Sequence, residues 1–331
     1  MGHPRRMTPA RFEQILERQY PARYGKHYIP AMKATRTEAP SGSRPAMVWF
    51  DRIGRYVHTL STPERAVLAI ITYCLHVLDV LEQRMLPYLP AEHPLGSHPL
   101  AAGLVLPRFR GTLAIADELG VLKLHPTIHR KSESASPDEP ETSTEPGCWI
   151  GDFLVLLLDA AGPYCVNLSV KRSRQEFRIP QFGVTVKTDL ERAARKAAAR
   201  HRIEEILYRE VGIPTHQIAS DDLNRRVVAN LQQLWLWQGR PHRLTSTQQE
   251  TIQLSLREAV DTKVSAWEVL QSLELREGIR TYDAKIILYE LIRDRKLRID
   301  LYRTFFIDQP MVSETKDVMD EYGHWFKRPT Q

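Results

Sequence analysis

The strongest constraint on the fold is a hairpin pattern within residues 151–173. Two apolar runs of strand length flank a turn signal at Ala161-Gly162, which predicts an antiparallel pair of strands. A loop centred on these two residues would place Asp152 directly opposite Lys171, with Cβ atoms about 5 Å apart. An acid that faces a lysine at the end of a hairpin can hold a divalent metal ion and a phosphate charge together.

The composition is that of a globular chain with a basic excess. Its 331 residues suggest about two domains, and a hydrophobic content of 42% is enough to form a buried core. The net charge of +6 permits a polyanion partner such as nucleic acid but does not establish one. Basic residues concentrate at 171–174, 192–202 and 293–298, where solvated helix faces are an equally good explanation.

Cysteine usage and hydropathy exclude several classes of protein. Cys74, Cys148 and Cys165 are widely spaced and odd in number, so they form neither a disulfide framework nor a zinc motif. A reducing cytoplasm fits this pattern. No apolar run approaches the roughly 18 residues needed to span a membrane, so no membrane partner is predicted. The N-terminus also lacks the apolar core of a signal peptide.

Two long helices are predicted on either side of the hairpin in sequence. The first begins at Ser61, an N-cap residue followed by proline and then by Glu64 three positions after the cap. The second covers about 189–211, and Glu204 lies in the middle of its apolar face. A carboxylate there is costly unless it is paired or binds a metal. Arg200, four residues earlier, is a candidate ion-pair partner.

The remaining patterns divide the chain into an arm, two domains and a tail. Three helices followed by a strand-like run at 296–302 outline a winged helix, and a stretch with almost no apolar residues predicts disorder within the first domain. The predicted segments are a basic N-terminal arm (1–24), a first domain (25–238) with a disordered insertion (130–147), a winged-helix-like domain (239–310) and a loosely held tail (311–331).

The order of acid, hairpin and second acid resembles the core of the restriction-endonuclease-like nucleases, in which an acid precedes a (D/E)-x-K sequence on the next strand. Longer segments resemble the TnsA endonuclease family, the nuclease subunit of heteromeric bacterial transposases. They are YGKHYIP, RYVHTLSTPERAV, VLDVLEQRMLPYLP, GDFLV, SVK, EEILYREVGIP and NLQQLWLW. The resemblance runs from about residue 24 to 305 and is more specific in the first domain. It implies an α/β fold: a restriction-endonuclease-like core, with a central mixed sheet flanked by helices, followed by a small, mostly helical, winged-helix-like domain.

The resemblance also implies an active site on Glu64, Asp152, Lys171 and Glu204, with the backbone carbonyl of Val170 as a further metal ligand. The three carboxylates would hold Mg²⁺ or Mn²⁺, which prefer oxygen ligands. Two such ions stabilise both the attacking and the leaving oxygen in phosphodiester hydrolysis. Lys171 would orient or deprotonate the water, or neutralise the phosphate.

Ser169 departs from this pattern, because the superfamily commonly has an acid two residues before the lysine and TnsA has glutamine. The other residues also have structural interpretations. Glu64 is the fourth residue of a capping box, a role that competes with metal binding, and Asp152 and Lys171 can simply end strands.

The implied activity is cleavage of the non-transferred strand, at the 5′ side of transposon ends in double-stranded DNA, in the bacterial cytoplasm. The implied partners are a TnsB-like transposase and a TnsC-like ATPase regulator. A second hypothesis is a catalytically weakened adaptor that bridges transposase, regulator and DNA. A third, a winged-helix DNA-binding regulator, depends only on the C-terminal outline and the basic pI.

Overall fold

The fold is known from a computed structural model that describes residues 7–131, 142–179 and 187–329. It is an α/β fold, as predicted. The described strands are β1 (Ala46–Phe50), β2 (Arg55–Thr59), β3 (Val77–Glu82), β4 (Thr127–Lys131), β5 (Thr142–Pro146), β6 (Phe153–Asp159), β7 (Gly162–Lys171) and β8 (Thr215–Ala219). The described helices are α1 (Pro9–Gln19), α2 (Thr62–Tyr73), α3 (Thr112–Glu118), α4 (Lys187–Arg209), α5 (Arg225–Trp235), α6 (Ser246–Thr262), α7 (Ala266–Glu277), α8 (Thr281–Arg293) and α9 (Val318–Tyr322).

A four-stranded mixed sheet in the order β3-β6-β7-β8 is the centre of the molecule. The first three strands are antiparallel, whereas β7 and β8 are parallel. Parallel neighbours need a long crossover connection, and α4 supplies it between β7 and β8. The predicted hairpin of β6 and β7, the predicted start of α2 and the predicted long helix α4 are all present.

The central hairpin turns one residue earlier than its sequence pattern indicates. Asp159 pairs with Gly162, so the loop consists of Ala160 and Ala161. The Asp159 carboxylate accepts a 2.8 Å hydrogen bond from the backbone N of Ala161, which fixes this tight turn. Gly162 has φ +107°, a conformation that favours glycine, and it begins the second strand instead of lying inside the loop.

The earlier turn shifts the pairing register by two residues. Phe153 pairs with Leu168, so the next position outward brings Asp152 beside Ser169. The prediction that Asp152 lies directly opposite Lys171 is therefore wrong. Because side chains alternate between faces with a period of two, a two-residue shift keeps Asp152 and Lys171 on the same face of the sheet. They remain diagonal neighbours.

The sheet separates two hydrophobic cores. Val155 and Leu168 are buried on the face that packs against α2 and α5. Leu154 and Cys165, on the opposite face, pack with the apolar side of α4. This alternation follows from the pleat of the strands, and it fixes which residues of the hairpin approach α4.

The C-terminal part contains the three predicted helices, α6, α7 and α8, but not the predicted strand at 296–302. Ile299 forms only an isolated bridge with Ser313. The chain turns at Asp300, whose carboxylate accepts a 2.9 Å hydrogen bond from the backbone N of Tyr302. The apolar residues that alternate with polar ones along this run are buried in an irregular segment. A winged helix is not confirmed.

The predicted boundary at 238/239 does not interrupt the core. Trp237 stacks on Tyr289 of α8 with ring centroids 5.1 Å apart and an angle of 3° between the rings. The side chain of Gln233 donates a 2.8 Å hydrogen bond to the Tyr289 hydroxyl. Residues from both sides of the boundary belong to one hydrophobic cluster, so the two segments pack as one unit.

Both ends of the chain are packed in the described residues, which contradicts the predicted loosely held tail. In the tail, Tyr322, Trp325 and Phe326 are buried in the same cluster as α2 and the central sheet. In the arm, Phe12 and Ile15 of α1 are buried against a separate apolar group. The basic arm and the polar tail each contain a few large apolar side chains at helical spacing, and these hold the segments on the core.

The predicted disordered insertion at 130–147 is ordered at both ends. Residues 127–131 pair with residues 142–146 as a two-stranded antiparallel ladder. Arg130 binds Glu145 across the ladder at 2.8 Å and Glu13 of α1 at 2.7 Å. Cross-strand pairing and these ion pairs replace the apolar burial that the sequence lacks. Residues 132–141 lie outside the described ranges.

Candidate functional site

Three strand ends meet at one edge of the sheet, beside the N-terminus of α2. β3 ends at Glu82, β6 begins after Asp152, and β7 ends at Lys171. The backbone N of Gln83 donates a 2.9 Å hydrogen bond to the carbonyl of Asp152, which ties the first two ends together. Glu64 lies in the first turn of α2 at this edge. The fold thus brings together Glu64, Asp152 and Lys171, three of the four predicted side chains.

Asp152 and Lys171 are in contact across the hairpin. Asp152 Oδ2 lies 4.0 Å from Lys171 Nζ and accepts a 2.7 Å hydrogen bond from the backbone N of Val170. Lys171 Nζ donates to the Val170 carbonyl at 3.1 Å. The side chains of Asp152 and Lys171 are 13% and 23% exposed, so this part of the site is partly accessible to solvent.

The Glu64 carboxylate is buried and held by three donors. Oε2 accepts from the backbone N of Leu60 at 2.8 Å and from Gln83 Nε2 at 2.9 Å, and Oε1 accepts from Ser61 Oγ at 2.8 Å. Ser61 Oγ in turn accepts from the backbone N of Glu64, which confirms the predicted N-cap. Oε1 has a second lone pair. Capping and metal ligation by Glu64 are therefore compatible.

Burial and the negative charge of Asp152 raise the pKa of Glu64 to about 7, although its hydrogen-bond donors and Lys171 oppose the shift. A buried carboxylate beside a second negative charge makes a site that gains stability from a cation between the two. The residues therefore fit a divalent metal ion. Glu64, Asp152 and the Val170 carbonyl supply the oxygen ligands that Mg²⁺ and Mn²⁺ prefer.

The raised pKa predicts that Glu64 makes the folded state less stable as pH rises. Unfolded Glu64 ionises near pH 4.5, but folded Glu64 ionises near pH 7, so between these values the folded state holds a proton that the unfolded chain has lost. We expect the unfolding free energy to fall through this window by up to about 1.4 kcal/mol per pH unit relative to Glu64→Gln. Urea unfolding of both proteins at pH 5 and pH 8 measures the difference. Parallel pH dependence of the two proteins would contradict the assignment.

Glu204, the fourth predicted side chain, lies in a deeper layer. It is 1% exposed, and Oε1 accepts a 3.2 Å hydrogen bond from Asn167 Nδ2. Oε1 is also 3.3 Å from the position of a Cβ built on Gly151, so the glycine before Asp152 allows this close approach. Among the described contacts, no hydrogen bond or ion pair joins Glu204 to Asp152 or Lys171. The predicted pairing of Glu204 with Arg200 is also absent from these contacts.

The electrostatic surroundings of Glu204 favour its ionised form. Burial alone would raise its pKa, but the nearby His201 ring and the Arg200 guanidinium outweigh burial and hold the pKa below its ordinary value. Arg200 itself donates a 2.7 Å hydrogen bond to the carbonyl of Ile150. Glu204 is thus a buried negative charge directly behind the loop that carries Asp152.

Sequence reasoning missed Gln83, Asn167 and His201. Gln83 has φ +48°, unusual for a residue other than glycine, and nothing in its sequence neighbourhood indicates its bond to Glu64. His201 precedes Glu204 by three residues, so helical spacing indicates that the two share a face. Asn167 precedes Ser169 by two residues, and strand alternation places it on the face of Asp152.

A buried ion-pair network supports β3 behind the site. Arg55 Nη1 donates to Glu82 Oε1 at 2.9 Å, and Arg55 Nη2 lies 3.4 Å from Asp79 Oδ1. All three side chains are less than 10% exposed. Asp79 also accepts from the backbone N of Gly25 at 2.6 Å, which anchors the chain before β1. Burial raises the pKa of Glu82, although Arg55 opposes this.

A separate cavity lies at the end of the sheet opposite the site edge. That cavity has a volume of about 450 Å³, and its lining includes His76, Asp159 and Tyr164 near the hairpin turn. None of the predicted site residues lines it. A partly exposed sheet edge is accessible to a polymer, whereas a concave pocket suits a small molecule.

No protein-family model matches the chain, and no curated protein is significantly similar to it. Within the described ranges, no group of three or more His, Cys, Asp or Glu side chains is arranged to hold a metal ion. A cage at the site edge would therefore combine two carboxylates with a backbone carbonyl. No helix of the described residues has the length and apolar character needed to cross a membrane.

Proposed function

We propose that this chain is a metal-dependent DNA endonuclease with a restriction-endonuclease-like core, similar to the TnsA family. The observation that carries the proposal is the position of Glu64, Asp152 and Lys171 at one open edge of a mixed sheet. The Asp152 carboxylate is 4.0 Å from the lysine, and its charge helps to raise the pKa of Glu64. Adjacent acids beside a cation are the elements that hydrolysis of a phosphodiester requires.

Each residue of the edge has a distinct role in this proposal. Glu64, Asp152 and the Val170 carbonyl would hold Mg²⁺ or Mn²⁺, which supplies positive charge to the attacking water and to the leaving oxygen. Lys171 places a positive charge next to the scissile phosphate. Gln83 holds the Glu64 carboxylate in position through its 2.9 Å hydrogen bond. Glu204 would be a further ligand only if its carboxylate reached the metal ion from the deeper layer behind the loop.

The proposed substrate is double-stranded DNA at transposon ends, cut on the 5′ side of the non-transferred strand. Exposed cations on α4 support a polyanion partner. Arg192, Arg195 and Lys196 are exposed, and none forms an ion pair with an acid in the described ranges. Phosphate contacts by such residues give salt-dependent, sequence-independent affinity. Site choice would then come from a TnsB-like transposase, under a TnsC-like ATPase regulator, in the bacterial cytoplasm.

A second candidate is an adaptor with a nuclease fold that bridges transposase, regulator and DNA without cutting. Two observations favour it. Glu64 and Asp152 already accept hydrogen bonds from protein donors, so both are satisfied in part without a metal. Ser169 also replaces the acid that related nucleases commonly have. In contrast, the winged-helix regulator hypothesis has no supporting strand among the described residues that follow α8.

A plasmid assay separates the two candidates. Supercoiled DNA that carries transposon ends is incubated with the chain and the partner transposase, in Mg²⁺ or in EDTA. The endonuclease proposal expects Mg²⁺-dependent breaks that map to the 5′ side of each end. Intact non-transferred strands, together with a stable complex of chain, transposase and DNA, would establish the adaptor instead.

A further inference from the structure

A cavity lies where the C-terminal segment packs on the turn end of the central hairpin, and we call it the tail pocket. Its volume of about 450 Å³ is within the range of about 300–1,000 Å³ that is typical of small-molecule sites. One side is formed by residues 74–76 and the hairpin, and the other by residues between 319 and 328. The pocket is therefore large enough for a small organic molecule that touches both sides.

The charged groups that line the tail pocket leave an excess of positive charge. Asp159 is the acid among the described lining residues, and Arg328 neutralises it through hydrogen bonds of 2.9 and 2.7 Å. Arg295, also in the lining, pairs with Asp317. Lys327 has no ion pair or hydrogen bond in the described part of the chain, so its charge is uncompensated. A concave surface with one uncompensated sign of charge attracts ligands of the opposite sign, here anions.

The apolar part of the lining favours a ligand that has an apolar body. Leu75 is 46% exposed although its side chain is large and apolar. Tyr164, Met319 and Phe326 line the same pocket. A ligand that covers these side chains removes apolar surface from water, which favours binding. A hydrated inorganic ion would leave this surface uncovered, so it matches only the charge of the pocket.

Contacts within the chain hold the two sides of the tail pocket together. The Tyr164 hydroxyl donates a 2.7 Å hydrogen bond to the carbonyl of Phe326. Arg328 donates to the carbonyl of Gly162 at 2.7 Å, and its guanidinium lies over the Tyr164 ring, 4.4 Å from the centroid. The pocket is therefore preformed, and a ligand would bind it with a small loss of conformational entropy.

We propose that the tail pocket binds a small organic anion with an apolar body, either a carboxylate or a phosphomonoester. Lys327 attracts the charged group, and Leu75 and Phe326 contact the apolar body. The inference does not depend on the proposed endonuclease function, because the pocket lies at the end of the sheet opposite Asp152 and Lys171. Since the ligand touches the hairpin and the C-terminal segment together, its binding should also stabilise their packing.

Isothermal titration calorimetry of the full-length chain tests the proposal with phenyl phosphate, phenylacetate and the neutral molecule 2-phenylethanol. We expect at least one of the two anions to bind at a single site, about tenfold or more tightly than 2-phenylethanol. Binding of phenyl phosphate alone would assign a phosphomonoester, and binding of phenylacetate alone would assign a carboxylate. No saturable binding of either anion up to about 10 mM, or equally tight binding of 2-phenylethanol, would overturn the inference.

Two variants of exposed lining residues locate the bound anion, and both should fold like the wild type. Lys327→Met removes the uncompensated charge and should weaken anion binding by about tenfold. Leu75→Glu adds a negative charge to the lining and should abolish anion binding. The matched control is Lys123→Met, which changes an exposed lysine of the short turn at Leu122–Leu124, outside the pocket, and should bind the anion like the wild type. Unchanged anion binding in either lining variant would overturn the inference.

Discussion

Replacing Asp152 with asparagine is expected to abolish Mg²⁺-dependent strand cleavage, with a loss of about a thousandfold or more. Asp152 is the acid at the centre of the site edge, next to Lys171 and coupled to the ionisation of Glu64. The amide keeps an oxygen that can accept from the backbone N of Val170, so the loop geometry is retained while the charge that holds the metal is lost. Time courses of plasmid nicking give the rates.

Asp159→Asn is the matched control, because it changes an acid at the opposite end of the same hairpin. Asp159 binds Arg328 at 2.7 Å, far from the site edge, and its replacement should leave the cleavage rate within about twofold. Circular dichroism must show the same fold for both variants. Full cleavage by folded Asp152→Asn would reject the endonuclease assignment and favour the adaptor.

Replacing Arg55 with methionine is expected to lower the unfolding free energy by about 3–5 kcal/mol. Arg55 is the ion-pair partner of two buried carboxylates, Asp79 and Glu82, and without it both negative charges remain in the interior. Because protonation removes the unpaired charge of Glu82, the loss should be smaller at pH 5 than at pH 8. Urea denaturation at both pH values measures the effect.

Arg202→Met serves as the control for Arg55→Met. Arg202 pairs with Glu205 on the exposed face of α4, where ion pairs contribute less than about 1 kcal/mol. Combining Arg55→Met with Asp79→Asn and Glu82→Gln should recover part of the lost stability, since the buried charges are then removed together. A loss below about 1 kcal/mol for Arg55→Met alone would show that the network is not a major source of stability.

Local signals in the sequence were sufficient to predict the main secondary-structure elements. The turn and β-forming runs predicted the central hairpin, and the capping sequence at Ser61 predicted the start of α2. The predicted pairing register of the hairpin was wrong because one hydrogen bond, from the backbone N of Ala161 to the Asp159 carboxylate, decides which two residues form the loop. Turn geometry of this kind depends on side-chain contacts that periodicity does not encode.

Elsewhere, the sequence did not predict contacts between segments that are distant along the chain. The tail and the arm have few apolar residues, and only the folded core shows that Phe12 and Trp325 are buried. In the site, Asp152 and Lys171 were identified because they lie on one hairpin. Gln83 and His201 were missed, since their roles depend on contacts between elements that are distant in the sequence.

The attachment of the C-terminal segment to the central hairpin also constrains the order in which the chain folds. Tyr164 donates a 2.7 Å hydrogen bond to the carbonyl of Phe326, and Arg328 pairs with Asp159, contacts that span 162 and 169 residues. Such non-local contacts slow folding, because long loops must close before the contacts form. During synthesis, the hairpin that carries Asp152 emerges long before the segment that covers its far end. We therefore expect this end of the sheet to stay uncovered, and open to chaperones, until residue 328 has left the ribosome.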